Sequence, residues 1–276
     1  MTDELAWFGG PQHESFELGG DAPRAGALLL HGFPGTPAEL LPLGQALSSA
    51  GVAARAPLLP GFGPEMDRLG EVGARDWLAS ASEVWTSVRS THTQSVLVGY
   101  SMGGALALRL AAVHPPHRLV LVAPLWRLLG PAWPLGKLLP VVERVVPSFG
   151  LLDHGSALDN PELRHFFARA APELDLDHPE VRAELRRRVR VRTTTIAQLW
   201  QLAIGSGAAA REVRVPTLIL QGKADRVVRP HDTRELARRF GGPTQLHELE
   251  GGHLLLDSGA SAWSVVRDLI VGFVTA

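Results

Sequence analysis

The sequence has 276 residues, 45% of them hydrophobic and 20% charged, which is enough for one large domain with a substantial core. Its formal net charge of −1 gives no reason to expect nucleic acid or an anionic membrane surface as a partner. It contains no cysteine, which excludes disulfides, thiolate zinc sites and a cysteine nucleophile.

The start of the chain is acidic and lacks the basic residues and long apolar run of a secretory signal. No run of about 18 or more uncharged apolar residues, the length needed to span a bilayer, occurs in the sequence. We therefore expect no stable insertion into a membrane and a cytoplasmic location.

The first half of the chain alternates between strand and helix patterns. A short strand candidate at residues 14–18 is followed by continuous apolar runs that predict buried strands at residues 25–31, 52–57, 94–98 and 118–123. Helical patterns lie between them, at residues 36–51, 76–88 and 105–113. Strands that are apolar on both faces and alternate with helices predict a parallel sheet with helices on both sides.

The first of these helices carries a start signal. Thr36 is followed three residues later by Glu39, with Pro37 at the first helical position. This capping-box pattern predicts that the two side chains bind backbone N–H groups at the helix N-terminus.

The alternation breaks between residues 124 and 214. Apolar residues are frequent there, but Pro131, Pro134, Pro140 and Pro147 interrupt them too often for one helix that packs on a sheet. We expect an inserted, mainly helical cap, or lid, over residues 124–214. An ordinary helical subdomain with its own core is the alternative.

A basic run lies inside this segment, at residues 186–192. Charge runs of this kind are typical of a solvated surface, and we expect one here. A site for an anionic group of the substrate is the alternative.

The alternation returns after residue 214. An apolar run predicts a strand at residues 216–222, and further patterns predict a helix at 232–240, a strand at 244–249 and a last helix at 262–273. Residues 1–123 and 215–276 are therefore expected to form one α/β core with a mostly parallel, doubly wound sheet.

A serine stands between a predicted strand and a predicted helix, with Gly99 two residues before it and Gly103 two residues after it. Small neighbours permit a sharp strand-to-helix turn that exposes the Ser101 hydroxyl at the positive end of a helix. The pattern is that of a nucleophile elbow. A plain glycine and serine turn at a strand end is the alternative.

A serine hydroxyl needs an imidazole to take its proton and an acid to orient that imidazole. Asp225 follows the predicted strand 216–222, and His253 follows the strand 244–249, so both belong at the sheet edge where Ser101 lies. The order Ser101, Asp225, His253 fits a catalytic triad on this architecture. Asp257, which is close to His253 in the sequence, is the competing acid.

An oxyanion needs backbone N–H donors in fixed positions. We expect one from Met102, directly after the serine, and a second from Phe33, in the loop after the strand 25–31. Pro34 has no N–H to donate, which narrows the choice. His31 is expected to brace this loop, and a role as a second base is the alternative.

The segments 31–35 (HGFPG), 99–104 (GYSMGG), 222–228 (GKADRVV) and 252–253 (GH) resemble serine hydrolases of the α/β-hydrolase superfamily. Among these they are most similar to bacterial carboxylesterases of the monoacylglycerol-lipase type. The resemblance implies ester hydrolysis through an acyl-enzyme, with Ser101 as nucleophile, His253 as base and Asp225 as the orienting acid. It implies no metal and no organic cofactor. Those relatives often carry Gly-His-Gly where this chain has Gly-Phe-Gly at residues 61–63, which bears on the substrate.

The predicted cap is rich in apolar side chains, which favour an acyl chain or another hydrophobic ester over a sugar or a phosphate. The expected substrate contacts are Trp126, Trp133, Leu138, Leu139, Val142, Trp200 and Leu202. The partner expected is thus a small hydrophobic ester with a small or medium acyl group. A monoacylglycerol lipase or a thioesterase is the alternative within the enzymes, and a non-catalytic receptor for a hydrophobic ligand is the alternative outside them.

Overall fold

The computed structural model describes residues 10–19, 24–128, 130–150, 157–159, 164, 167–168, 174–188 and 190–276. The strands are β1 (Phe16–Leu18), β2 (Ala25–Leu30), β3 (Val52–Ala56), β4 (Gln94–Tyr100), β5 (Arg118–Val122), β6 (Ser148–Gly150), β7 (Arg190–Arg192), β8 (Thr217–Gly222) and β9 (Thr244–Leu249).

The main sheet that these residues form has the order β1-β3-β2-β4-β5-β8-β9. β1 is antiparallel to β3, and every other neighbouring pair in this sheet is parallel. β9 forms one edge and is only half-buried or exposed, whereas β8 beside it is fully buried. The prediction of a mostly parallel sheet is confirmed.

The α-helices in the described ranges are α1 (Leu41–Ser49), α2 (Ala74–Thr91), α3 (Met102–Val113), α4 (Leu139–Val142), α5 (Pro179–Arg188), α6 (Thr193–Ala209), α7 (Pro230–Ala237) and α8 (Trp263–Thr275). Short 3-10 helices occupy Pro11–His13, Pro37–Leu40, Gly63–Glu71, Gly130–Leu138, Ala157–Asp159 and Ala210–Glu212. Within the described residues, no helix is both long and apolar enough to cross a membrane.

Alternate residues of each strand face opposite sides of the sheet, and each side has its own core. Leu28, Leu97 and Leu119 pack in the cluster that contains Trp77 and Trp85 of α2. The opposite cluster contains side chains from β2, β4 and β5 together with α1 and α8, among them Leu29, Val98, Val120, Leu43 and Ile270. Two buried cores fix the sheet rigidly, and the site is built at the carboxyl ends of its strands.

The segment after β5 contributes to the first of these cores. Leu199 and Leu202, on α6, are buried in the cluster that also contains Leu106 of α3. α6 therefore packs along the helix that follows Ser101. A separate small cluster contains Leu158, Phe167, Leu176 and Leu185. The extent of a cap over residues 124–214 stays a prediction.

The basic run at residues 186–192 lies partly outside the described side chains. Arg187 is exposed and pairs with Glu184, one helical turn away. Arg190 is exposed on β7 and donates to Ser148 on β6. Both arginine side chains thus lie at the surface, in contact with neighbouring polar groups.

A helix starts at Pro37, where the Thr36–Glu39 pattern predicts one, but the two side chains do not form a capping box. The residues after Thr36 form the 3-10 helix Pro37–Leu40, and Thr36 makes no side-chain cap. The Thr36 hydroxyl instead lies 2.8 Å from Nδ1 of His13, and the Glu39 carboxylate accepts the N–H of Gly32. Both side chains thus bind residues outside the helix, and α1 begins at Leu41, directly after the 3-10 helix.

Candidate active site

Ser101 lies at the junction of β4 and α3 in a conformation that few residues adopt. Its φ is 51° and its ψ is −114°, and such a conformation costs of order 1–3 kcal/mol in a residue with a side chain. The surrounding backbone holds it there: its N–H donates to the carbonyl of Val122 at 2.9 Å, and its carbonyl accepts from Gly104 at 3.0 Å and Leu125 at 2.9 Å. The hydroxyl is thereby held at the positive end of α3.

The glycines on either side of Ser101 are required by close packing. A Cβ on Gly103 would lie 2.0 Å from the carbonyl oxygen of Leu30, and a Cβ on Gly99 would lie 2.4 Å from the carbonyl oxygen of Gly103. No larger residue fits at either position without a backbone shift. The glycine spacing seen in the sequence is therefore what lets the turn bring α3 against β2.

The structure brings Ser101, His253 and Asp225 together. Nε2 of His253 lies 3.1 Å from the Ser101 hydroxyl oxygen, and Nδ1 lies 2.8 Å from Oδ2 of Asp225. All three residues are at least 90% buried. Such an arrangement can move a proton from the serine to the imidazole, because the carboxylate holds the ring and stabilises its charged form.

The Asp225 carboxylate is held by three donors besides His253. Oδ1 accepts the N–H groups of Val227 at 2.8 Å and Val228 at 2.9 Å, and Oδ2 accepts from the side-chain amide of Gln221 at 3.0 Å. Gln221 is buried, and its amide oxygen accepts the hydroxyl of Thr233 at 2.6 Å. Gln221 is a positioning residue that sequence reasoning missed, because glutamine in a strand carries no signal of its own.

Asp257, the competing acid, is also buried, but it supports its own turn. Its Oδ1 accepts the N–H of Gly259 at 2.8 Å. The His253 nitrogen that an orienting acid would bind is already in contact with Asp225. The geometry favours Asp225 for that place.

Tyr100 holds the loop that carries His253, and no pattern in the sequence predicts this contact. Its hydroxyl donates to the carbonyl of His253 at 3.1 Å, and the two rings lie 5.3 Å apart between centroids. Gly222 lets this loop approach the Asp225 loop, since a Cβ on Gly222 would lie 2.0 Å from the carbonyl oxygen of Gly252. The histidine is thus fixed from two sides.

The loop after β2 lies against the nucleophile. A Cβ on Gly32 would lie 3.2 Å from Cβ of Ser101. Within the described residues, neither the N–H of Phe33 nor that of Met102 donates a hydrogen bond. Both amides are thus available to an oxyanion beside Ser101, although that role stays a prediction.

Glu39 anchors the loop after β2. The sequence pattern instead predicted that Glu39 belongs to a capping box at the helix start. Its Oε1 accepts the N–H of Gly32. A Cβ on Gly35 would lie 2.3 Å from Oε2, so the same carboxylate also packs against Gly35. One side chain therefore spans both ends of the segment that carries Phe33.

We expect Glu39→Ala to lower the free energy of unfolding by about 1.5–3 kcal/mol, because it removes a charged acceptor from a buried N–H. Glu39→Gln keeps an oxygen in place and is expected to lose less. Urea denaturation of both variants measures the effect. Glu83→Ala, on the exposed face of α2, is the control and is expected to unfold like the unmodified protein.

His31 braces the same loop from within the core. It is fully buried; its Nδ1 lies 2.9 Å from the carbonyl oxygen of Gly32, and its Nε2 accepts the N–H of Leu59 at 3.1 Å. Burial lowers the pKa of His31 from 6.5 to about 4, so the ring is neutral at pH 7. With both nitrogens bound to the backbone, His31 serves the loop and not the serine.

The lowered pKa of His31 makes stability depend on pH. Between pH 6.5 and pH 4 the unfolded chain binds a proton that the folded protein does not, so the free energy of unfolding falls as the pH falls through this window. The loss attributable to this residue is about 3 kcal/mol. His31→Gln cannot titrate there, and urea denaturation at pH 7, 5.5 and 4.5 should give it a shallower decline. Equal declines in both proteins would contradict the assignment.

The seven expected substrate contacts stay a prediction, and those that the structure describes differ in burial. Leu202 and Trp126 are buried in the core beside α3, and the Trp126 indole donates to the carbonyl of Asp232 at 2.7 Å. Leu139 is buried, and Leu138 is 47% exposed. The others divide as follows: Val142 and Trp200 are half-buried, and the side chain of Trp133 lies outside the described residues.

Metal binding has no candidate in the part of the chain that the structure describes. No three histidine, aspartate or glutamate side chains there lie close enough together to hold a metal ion.

Comparison with known proteins gives matches over most of the chain. A family profile described as serine aminopeptidase, S33, matches residues 21–256. The thermostable monoacylglycerol lipase of Bacillus sp. (strain H-257) is 38% identical over 90 residues, which cover 33% of this chain and 36% of that protein. The carboxylesterase of Bacillus subtilis (strain 168) is 33% identical over 89 residues, 32% of this chain and 36% of that protein. Each match thus spans about a third of the curated relative.

The fold is also seen in solved structures. A structure of the metagenome-derived lipolytic enzymes LipS and LipT superposes with a TM-score of 0.74 at 20% identity, over 96% of this chain and 98% of that one. At this identity the likeness concerns the fold alone.

Proposed function

The chain belongs to the serine aminopeptidase S33 family of α/β-hydrolases, and on that basis we propose that it hydrolyses carboxylic esters through an acyl-enzyme. The observation that carries the proposal is the 3.1 Å contact between the Ser101 hydroxyl and Nε2 of His253, with Asp225 on the far side of the ring. The bacterial relatives, a monoacylglycerol lipase and a carboxylesterase, support ester hydrolysis.

In the first half of the proposed reaction, the Ser101 oxygen attacks the ester carbonyl carbon while its proton passes to Nε2 of His253. The carbonyl oxygen becomes an oxyanion, which the amides of Met102 and Phe33 stabilise. The tetrahedral intermediate collapses when His253 returns the proton to the departing alcohol. The acyl group is then bound to Ser101 as an ester.

In the second half, water takes the place of the alcohol. His253 accepts a proton from the water as the water oxygen attacks the acyl carbon, and the same two amides stabilise the second oxyanion. Collapse releases the carboxylic acid and returns the proton to Ser101. Asp225 remains a carboxylate throughout and keeps the imidazole in the required tautomer.

For the substrate we propose a hydrophobic ester with a small or medium acyl group. We propose that residues 124–214 act as a cap over the site and gate its access. Its apolar surface supports this: Leu135 is 59%, Val141 60% and Val145 83% exposed. We propose that these exposed apolar side chains meet the acyl group of the substrate.

A monoacylglycerol is the second candidate substrate, because the relative that is 38% identical over 90 residues is named for that activity. Acyl thioesters and aminoacyl amides are further candidates, since the same nucleophile and base serve them and the family description names an aminopeptidase. The fold alone does not choose among them.

The proposal is tested with a fluorophosphonate probe and a substrate panel. We expect stoichiometric labelling at Ser101, located by mass spectrometry, and turnover of p-nitrophenyl esters. The panel compares p-nitrophenyl esters from acetate to palmitate with a monoacylglycerol, an acyl thioester and an aminoacyl p-nitroanilide. A protein that neither reacts with the probe at pH 8 nor turns over any ester would be a ligand receptor on this fold, and the proposal would fail.

A further inference from the structure

A cavity of about 180 Å³ lies between the end of α6 and the end of α7. Its lining is Trp126, Arg127, Ile204, Gly207, Ala208, Arg211 and Arg239. Three of these seven side chains are arginines, and none of the seven takes part in the contacts among Ser101, His253 and Asp225. We propose that this cavity binds a small oxyanion, a phosphate or carboxylate group, through its arginines. The proposal does not depend on ester hydrolysis.

The Trp126 indole contributes to the cavity wall and is in contact with two of the arginines. The guanidinium carbon of Arg127 lies 4.1 Å from the ring centroid, and that of Arg239 lies 4.6 Å from it. Gly207 makes room for the ring, because a Cβ there would lie 2.8 Å from a ring carbon. Stacking on an aromatic face fixes the orientation of a guanidinium group and leaves its edge free to donate.

Among the described residues, the local carboxylates pair with one of the three arginines, Arg127, and not with the other two. Asp232 and Glu235 both pair with Arg127, and Asp232 also pairs with Arg229. Within the described part of the chain, Arg211 and Arg239 form no ion pair with a carboxylate. Two arginines are thus left at the cavity without an acidic partner.

The surroundings of Arg239 disfavour its charged form. Burial, and then the charges of Arg211 and Arg127, lower the pKa of Arg239, and Glu235 offsets this only in part. An anion between the guanidinium groups would remove the repulsion. Guanidinium forks match the oxygen spacing of phosphate and carboxylate, which makes an oxyanion the fitting ligand.

The rest of the lining limits the size and character of the ligand. Ile204, Gly207 and Ala208 supply an apolar wall from α6. The volume exceeds what one water molecule needs, so it accommodates a compact anion or an anion with a short apolar group. In this proposal Trp126 orients the guanidinium groups of Arg127 and Arg239.

Isothermal titration calorimetry of the full chain tests the proposal, with inorganic phosphate and butyrate as probes and chloride at matched ionic strength as the reference. We expect saturable binding of phosphate or butyrate with a Kd of about 1 mM or tighter. Binding of phosphate alone assigns a phosphoryl ligand, and binding of butyrate alone assigns a carboxylate.

The variants Arg239→Gln and Arg211→Gln are expected to weaken this binding at least about tenfold, because each removes charged hydrogen bonds to the anion. Arg211 does not stack on Trp126, so its variant keeps that packing if Arg239→Gln is unstable. Arg238→Gln removes the same charge one residue away, on an exposed side chain outside the cavity, and is expected to bind like the unmodified protein. No binding beyond chloride, or equal weakening by Arg238→Gln, overturns the proposal.

Discussion

Replacing Ser101 with alanine is expected to lower kcat for a p-nitrophenyl ester by roughly 10⁶, to the level that binding and the oxyanion amides alone provide. The reason is the loss of the hydroxyl oxygen that lies 3.1 Å from Nε2 of His253. Steady-state kinetics with enough protein to detect residual turnover measures the effect. Labelling by the fluorophosphonate should disappear in the same variant.

Ser95→Ala is the matched control for this variant. Ser95 is also a buried serine on β4, and its hydroxyl lies 3.1 Å from a histidine nitrogen, that of His117. It lies at the other end of the strand from Ser101, so its loss should leave kcat unchanged. If Ser101→Ala kept activity within about tenfold of the unmodified protein, another nucleophile would have to be sought.

Asp225→Asn is expected to lower kcat by about 10⁴ and to change the fold little. Asparagine fills the same space, but its amide favours the wrong tautomer of His253 and cannot stabilise the charged ring. Kinetics with the same ester and far-ultraviolet circular dichroism would measure the two effects separately.

Asp257→Asn tests whether Asp257, and not Asp225, is the acid that orients His253. Asp257 lies four residues after His253 and is as buried as the histidine, at 8% exposure each. Because its carboxylate binds the N–H of Gly259, we expect a modest change in stability and nearly full activity. A loss of about 10⁴ in this variant, with Asp225→Asn still active, would transfer the role of the orienting acid to Asp257.

The sheet was predictable because a strand buried on both faces must be an apolar run. The run at residues 25–31 became β2, and the run at 94–98 became the larger part of β4. β4 extends two residues further because Gly99 and Tyr100 still pair with Leu121 and Val122. Strand ends depend on the neighbouring strand, which the local sequence does not contain.

The core of the site was predictable from glycine spacing and chain order. Gly99 and Gly103 mark the turn that carries Ser101, and the strand ends place Asp225 and His253 at the same sheet edge. The supporting contacts were not predictable. Tyr100 and His253 are 153 residues apart, and only the assembled sheet brings them together.

Glu39 shows how a local motif can be misassigned. Its spacing from Thr36 satisfies the capping-box pattern, yet its carboxylate binds Gly32. A carboxylate binds a buried N–H group in preference to an exposed one. A buried N–H group without a partner costs more free energy than one at a helix end, which water can satisfy. The sequence around the helix start does not indicate that the N–H group of Gly32 lies within reach of Glu39.

The position of β9 has a consequence for the working lifetime of the protein. β9 pairs with β8 on one side only and is half-buried at best, and His253 follows it after a short turn. Elements with so little enclosure open locally at a smaller free-energy cost than the centre of a domain. Warming or mild denaturant should therefore displace His253 from Ser101 while the middle of the sheet is still folded. The conditions at which activity is lost would then depend on the stability of the pairing between β9 and β8, and not on the packing of the two cores.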